Sequence, residues 1–226
     1  MPSRTPPPPT DDASADPSDT RGRLLDCALR LFSQRGFART STRALAEAAG
    51  ANLAAIRYYF GDKAGLYRAT FGEMCNICGS AATLDASRPM PDMLREYFGS
   101  FIEPLKQGER MQQQIRLHIR EMLEPTEQSQ AERERDAAAH AGLVAALCGA
   151  LGLAEADDDL HRLAIALNGL GMQLLISRDL VEADRPALLA SPAALDTWAD
   201  RLVAFALTLI ESERQRRAAT FLPADR

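Results

Sequence analysis

Little in this 226-residue sequence belongs to an enzyme: no G-x-S-x-G turn, Walker loop, H-E-x-x-H pair or Gly-rich nucleotide fingerprint is present. Its three histidines (His118, His140, His161) are too scattered to argue for a metal site. The four cysteines (Cys27, Cys75, Cys78, Cys148) show no disulfide framework. The lone C-x-x-C at Cys75 and Cys78 has no second pair to complete a four-ligand zinc site, and reads more simply as two small apolar residues on one helix face. Free thiols suit a reducing cytosol. No apolar run approaches the 18 residues of a membrane span, and the Pro-rich, acidic N-terminus has no signal-peptide core, so a cytoplasmic location without membrane attachment is expected. Aromatic residues are only 6%, and no stretch of four to eight β-branched residues reads as a strand, which argues against a sheet. What is abundant is Ala and Leu, within a 46% hydrophobic composition that can bury a core without staples. The expectation is an all-α chain that needs no cofactor.

A net charge of −5 by itself argues against a nucleic-acid partner, but the average hides an asymmetry. Residues 21–70 hold nine Lys/Arg against three acids, a balance of +6 that leaves −11 for the remainder. A basic head on an acidic body suggests that only the head meets a polyanion.

Residues 1–19, rich in Pro, Ser, Thr and Asp, read as a disordered tail. Leu25, Ala28, Leu29 and Phe32 recur at helical spacing over 20–36, with Asp19 or Thr20 as cap and Gly36 as stop. A short helix follows over 42–49, with Ser41 as N-cap and Gly50 as stop, and Asn52 opens another that runs to Tyr59 or Phe60. Two short helices joined by a tight turn that starts at Gly form a helix-turn-helix pattern. A fourth helix is expected from Lys63 to about Ser80, then further helices near 91–106, 109–123, 129–152, 158–180 and 192–216. The expected partition is a head over 20–66 and a body over 67–226.

A helix-turn-helix head presents the N-terminal part of its second short helix to base edges, while hydroxyls and cations on either side grip phosphate. Thr40, Ser41 and Thr42 cluster where one grip belongs; Tyr58, Tyr59 and Lys63 sit past the reading helix. Ala54 and Ala55 keep that helix thin, and Ile56 and Phe60 can share the inward face with Leu45, Ala46 and Ala49. Plainer roles stand beside these: core packing for Tyr59, a solvated or phosphate-bound cation for Arg57, capping for Thr42, and a cap first for Asn52.

The stretch "ALRLFSQRGFARTSTRALAEAAGANLAAIRYYFGDKAGLY" resembles the TetR family of transcriptional regulators over about 45 residues at fixed spacing. The resemblance rests on Ala28, Leu31, Phe32, Gly36, Phe37, Thr40–Ser41, Leu45–Ala46, Ala49–Gly50, an aromatic pair before Phe60, Lys63 and Leu66. The family commonly has Val-Ser where Ala51–Asn52 stands and Tyr where Arg57 stands. Asn keeps the capping role, whereas Arg57 changes the base preference, because Arg can grip guanine with two hydrogen bonds. "NLAAIRYYFGDKAGLYRA" and "REMLEPT" (Arg120 to Thr126) look more particularly like the branch typified by the enterobacterial CecR regulator of drug-efflux and antibiotic-sensitivity genes. The resemblance implies that residues 52–58, among them Asn52, Leu53, Ala54, Ala55 and Arg57, read bases, and that Thr40, Ser41, Thr42, Tyr58, Tyr59 and Lys63 hold phosphate.

In the last two long helices Leu160, Leu163, Leu167, Leu170 and Leu174, and then Leu195, Trp198, Leu202, Phe205 and Leu209, alternate three and four apart. Such seams build either a four-helix bundle between two chains or an intramolecular core; the resemblance favours a homodimer, with Gly169 and Gly171 permitting close backbones. It also implies an effector pocket among the middle helices. Met93, Phe98, Phe101 and Ile102 offer an apolar lining, with Arg116, His118 and Glu121 on the next helix and Asn168, Met172 and Gln173 on a later one. The plainer alternatives are a satisfied core histidine at His118 and an ion pair or solvated face at Arg120 and Glu121.

Together these point to a one-component regulator, a repressor by expectation, that binds a pseudo-palindromic double-stranded operator as a homodimer and is released by a small molecule. Two alternatives are a helical adaptor with a vestigial helix-turn-helix and, through isolated acids such as Glu121, a small-molecule-processing enzyme. The retained Lys63, the hydroxyl cluster and the +6 head argue against the adaptor.

Overall fold

The structure, a computed structural model, describes residues 17–71, 84–85 and 87–221. Among them every regular element is a helix. α1 (Pro17–Arg35) opens on a proline, which suits a first turn because the N–H groups there have no partner within the helix. It starts three residues earlier than the sequence pattern suggests, and residues 1–16 of the expected tail lie outside the described residues. Its end is at Gly36, whose N–H donates to the Phe32 carbonyl at 2.8 Å. α2 (Thr42–Ala48) is capped by Ser41, whose hydroxyl accepts from the Ala44 N–H at 3.1 Å. α3 (Leu53–Phe60) is capped in the same way by Asn52, whose side-chain oxygen accepts from the Ala55 N–H at 2.9 Å. α4 (Lys63–Phe71) completes the head. Its expected continuation to Ser80, with Cys75 and Cys78, lies outside the described residues.

The body contains α5 (Met90–Ile102), α6 (Glu109–Leu123), α7 (Gln130–Leu151), α8 (Asp158–Ile176), α9 (Arg178–Asp184) and α10 (Pro192–Phe221). Two expected helices divide. The stretch 91–106 is α-helical only to Ile102, and Glu103–Lys106 tightens into a 3-10 turn around Pro104, which has no N–H to continue the ladder. The stretch 158–180 breaks at Ser177, whose N–H closes on the Gln173 carbonyl at 2.9 Å before α9 sets off. Neither Gly nor Pro marks that corner.

α5 is the spine of the body. Its Tyr97, Phe98 and Phe101 are buried and meet edge-on, with centroids 5.2–5.3 Å apart for the Tyr97 pairs. α10 lies along α5, and α8 crosses close enough that a Cβ on Gly171 would sit 2.7 Å from the Phe101 ring. Gly171 therefore serves a close approach inside one chain, whereas Gly169 faces open space.

The two leucine seams divide likewise. Leu160, Leu167, Leu174, Leu195 and Leu202 are buried within their own chain, so they cannot also face a partner. Leu163, Leu170 and Trp198 are half-buried, and Phe205 and Leu209 are exposed, although Leu209 lies on nearly the same side of α10 as Leu202. A strict three-four alternation is a narrow stripe, and here it runs along the edge of the buried side, which passes to Val203, Ala206 and Ile210.

Candidate functional site

α3 separates its two faces sharply. Ile56 is buried against α1 and α2, and Ala55, Tyr59 and Phe60 are half-buried around it. Asn52, Leu53, Ala54, Arg57 and Tyr58 project outward, with Tyr58 81% exposed. Among the described residues the Arg57 guanidinium makes no ion pair or hydrogen bond, so no carboxylate competes for its donors. Tyr58 and Tyr59 meet edge-on at 4.8 Å, an arrangement that braces the exposed ring on the packed one. The outer face thus offers donors at a thin helix N-terminus, the requirement for entering a major groove.

The three hydroxyls that precede and open α2 do not act alike. Ser41 is exposed and Thr42 half-exposed. Thr40 is only 1% exposed, and its hydroxyl donates to the Gly36 carbonyl at 2.8 Å. Its side chain ties off the end of α1 and does not offer its oxygen to the surface, contrary to the phosphate-gripping place expected of it. Lys63 is also partly committed. Its ammonium donates to the carbonyls of Phe37 and Thr40, both at 3.0 Å, and lies 4.1 Å from the Phe37 ring centroid. Of its three N–H donors one is left for another acceptor.

The head meets the body through α1 and α4 packed on and beside α6. Tyr67 is fully buried at that seam, within a ring cluster of Phe32, Phe37 and Phe71 at centroid distances of 4.7–5.1 Å. Its hydroxyl donates to Glu121, which also accepts from the Thr126 N–H at 2.9 Å and the Thr126 hydroxyl at 3.1 Å. Burial, and then the Glu121 carboxylate beside it, push the Tyr67 phenol far above its ordinary pKa, so it stays a neutral donor. Arg120 reaches the Gln34 carbonyl at the end of α1 at 3.4 Å. Glu121, expected in an effector pocket, is therefore a latch between head and body. The segment Arg120 to Thr126, noticed as a motif, supplies that latch; its partner at position 67, 54 residues away, left no local sign.

Of three cavities in the body, two contain expected lining residues. The smaller, about 150 Å³, brings together Phe101, His118, Asn168 and Met172, four of the expected lining residues, with Tyr97, Asp136 and His140. There the Asn168 amide donates to the Tyr97 hydroxyl at 3.2 Å, and His118 lies 3.8 Å from Asp136. Burial raises the Asp136 pKa, opposed by His118 and Arg135. The larger cavity, about 460 Å³, takes Arg116 from that set. Met93, Phe98 and Ile102 line neither cavity because they are sealed in the core beneath α10, and Gln173 is exposed and donates to Ser177 at 2.5 Å.

A helix-turn-helix head packed against an all-helical body is the build of a DNA-binding transcriptional regulator. The chain belongs to the TetR family: residues 24–70 match the profile of bacterial regulatory proteins of the tetR family, and residues 91–210, more than half of the chain, match the C-terminal domain of the HTH-type transcriptional dual regulator CecR. The HTH-type transcriptional regulator AcrR of Shigella flexneri is 49% identical over 49 residues, which cover 22% of this chain and 23% of AcrR. Such matches span about a quarter of the curated relatives' length and concern the head alone. A TetR-like regulator from a Rhodococcus species aligns over 83% of this chain and 93% of its own, with a TM-score of 0.57 and 21% identity. The TetR family regulator PfmR of Thermus thermophilus aligns over 82% of this chain and 97% of its own, with a TM-score of 0.59 and 16% identity. These two likenesses establish the shared fold.

Proposed function

We propose that the protein is a one-component repressor that binds a pseudo-palindromic operator as a homodimer and lets go when a small molecule occupies its body. The observation that carries this reading is the outer face of α3, where Arg57 stands without an acidic partner among the described residues on a helix held from beneath by Ile56. Asn52, Leu53, Ala54, Ala55 and Arg57 approach bases; Ser41, Thr42, Tyr58, Tyr59 and the remaining Lys63 donor hold phosphate. Trp198, Phe205 and Leu209 on α10 leave an apolar surface that a second copy would cover by two-fold symmetry. The head extends to residue 66 and the body from 67, with α4 shared between them. The sequence resemblance to the CecR branch supports control of efflux or drug-response genes.

A salt titration of binding to duplexes from the protein's own promoter region tests the reading. Operator affinity should fall steeply as salt rises, by a log–log slope of roughly −0.9 per phosphate neutralised. Equal affinity for promoter and random duplexes at moderate salt refutes it.

A further inference from the structure

The larger cavity has a chemistry that the smaller lacks. It lies between Ser33 on α1, the outer face of α6 and the α8–α9 corner, and its 460 Å³ suits a drug-sized molecule. One wall is aliphatic, with Ile115, Ile119, Leu175 and Ile176. The other is cationic: Arg116 and Arg120 stand one turn apart on α6, and Arg178 opens α9 opposite them. Two carboxylates, Asp179 and Glu124, share the lining but are held loosely. Asp179 and Glu124 each lie 3.4 Å from their arginine, with side chains 79% and 75% exposed. Arg178 is fully engaged, by Glu182 at 2.6 Å and, with the Gln112 amide turned, by the Gln112 oxygen at 3.1 and 3.3 Å. Nε of Arg120 is buried, and the two terminal nitrogens of Arg120 are held only by long contacts, 3.4 Å to Glu124 and 3.4 Å to the Gln34 carbonyl. A guanidinium that lines a cavity and is held so loosely can take a better-placed acceptor.

We propose that this cavity binds an amphipathic organic carboxylate. The carboxylate lies against Arg116 and Arg120 in place of their exposed partners Asp179 and Glu124, where the planar guanidinium matches its two oxygens, and the apolar body lies along the aliphatic wall. A neutral compound of the same shape could not replace those carboxylates, and a cation would bring no acceptor for either guanidinium. The proposal rests on the reading of the body as an effector domain and names the chemical class that it senses. It also supplies a route to the head: Arg120 touches the last turn of α1 through Gln34, so an anion that recruits Arg120 acts on the helix that carries the reading head.

The test is calorimetric titration of the full-length protein with 2-naphthoate and decanoate, beside 2-naphthamide, decanamide and 2-naphthylmethylamine as shape-matched neutral and cationic probes. The acids should bind at least about tenfold more tightly than the amides, with no detectable binding of the amine. R120Q and, separately, R116Q should weaken acid binding by about ten- to a hundredfold and change amide binding by less than about threefold. Amides that bind as tightly as acids, no acid binding below about 1 mM, or acid affinities unchanged in both variants overturn the proposal. Operator retention by the same samples is read in parallel. If ligand-free protein ignores the operator, the repressor reading fails while the titrations still decide the cavity's chemistry. If acids bind without releasing the operator, the chemistry stands and the effector role fails.

Discussion

Removing the Glu121 carboxylate should unlatch head from body at a cost that its surroundings allow to be worked out. Glu121 is 4% exposed and accepts three hydrogen bonds, one from Tyr67 and two from Thr126. Glu121→Ala orphans the fully buried Tyr67 hydroxyl and the part-buried Thr126 N–H, each at about 1–3 kcal/mol, for a total of about 2–6 kcal/mol. Glu121→Gln keeps shape and acceptor but exchanges charged for neutral hydrogen bonds, so about 1–2 kcal/mol is expected. Tyr67→Phe leaves Glu121 with both Thr126 donors and should cost about 1–2 kcal/mol. The decisive quantity is the double variant. Because Tyr67→Phe removes the hydroxyl that Glu121→Ala orphans, the pair should be less destabilised than the sum by at least about 1 kcal/mol. Urea denaturation of the four proteins measures this, with the m-value as a check that head and body still unfold together. Additivity within about 0.5 kcal/mol, or a Glu121→Ala cost below about 1 kcal/mol, refutes the latch.

Arg57→Ala should relax preference at one operator base pair by about 1–3 kcal/mol while leaving affinity for random duplex nearly unchanged; a panel of single-base operator variants reads this, and intact preference at every position removes Arg57 as a base reader. Gly65→Ala would place a Cβ 1.9 Å from the Phe60 carbonyl oxygen, so the α3–α4 corner must shift and the melting temperature should fall by several degrees, measured by circular dichroism. For the proposed dimer, Phe205→Asp with Leu209→Asp should yield folded monomers by sedimentation, whereas Leu202→Asp, buried inside the chain, should impair folding itself; an unchanged dimer mass in the first variant moves the interface elsewhere. Burial raises the Asp136 pKa above its unfolded value, so the folded state holds the extra proton and stability should decline as pH rises from the ordinary carboxylate range through the folded pKa; urea midpoints of Asp136→Asn should lack that decline.

What the sequence made legible follows the range of the interactions. Ser41 and Asn52 cap helices through bonds three residues long, and their places could be read directly. The period of α3 likewise placed Ile56 inside and Arg57 outside. Thr40 and Thr42 are indistinguishable by type, and only the turn after α1 decides that the first points inward. The partners of Lys63 lie 23 and 26 residues back and that of Glu121 54 residues back, too far for any spacing rule. In α10 an apolar stripe is visible in the sequence, but where along its edge another helix stops covering it depends on where α5 runs, so Leu202 is buried and Phe205, less than one turn on, is exposed.

Lys63 bears on how the head meets its target. A single ammonium clasps the turn at Phe37, the entry to α2 at Thr40 and the start of α4, three segments that would otherwise pivot independently. The turn that enters α2 is thus tied, before any duplex arrives, to the start of α4, which follows directly on the reading helix. Association then forfeits little conformational entropy in the head, and the free energy of the contacts goes into discrimination between sequences instead of into ordering the protein.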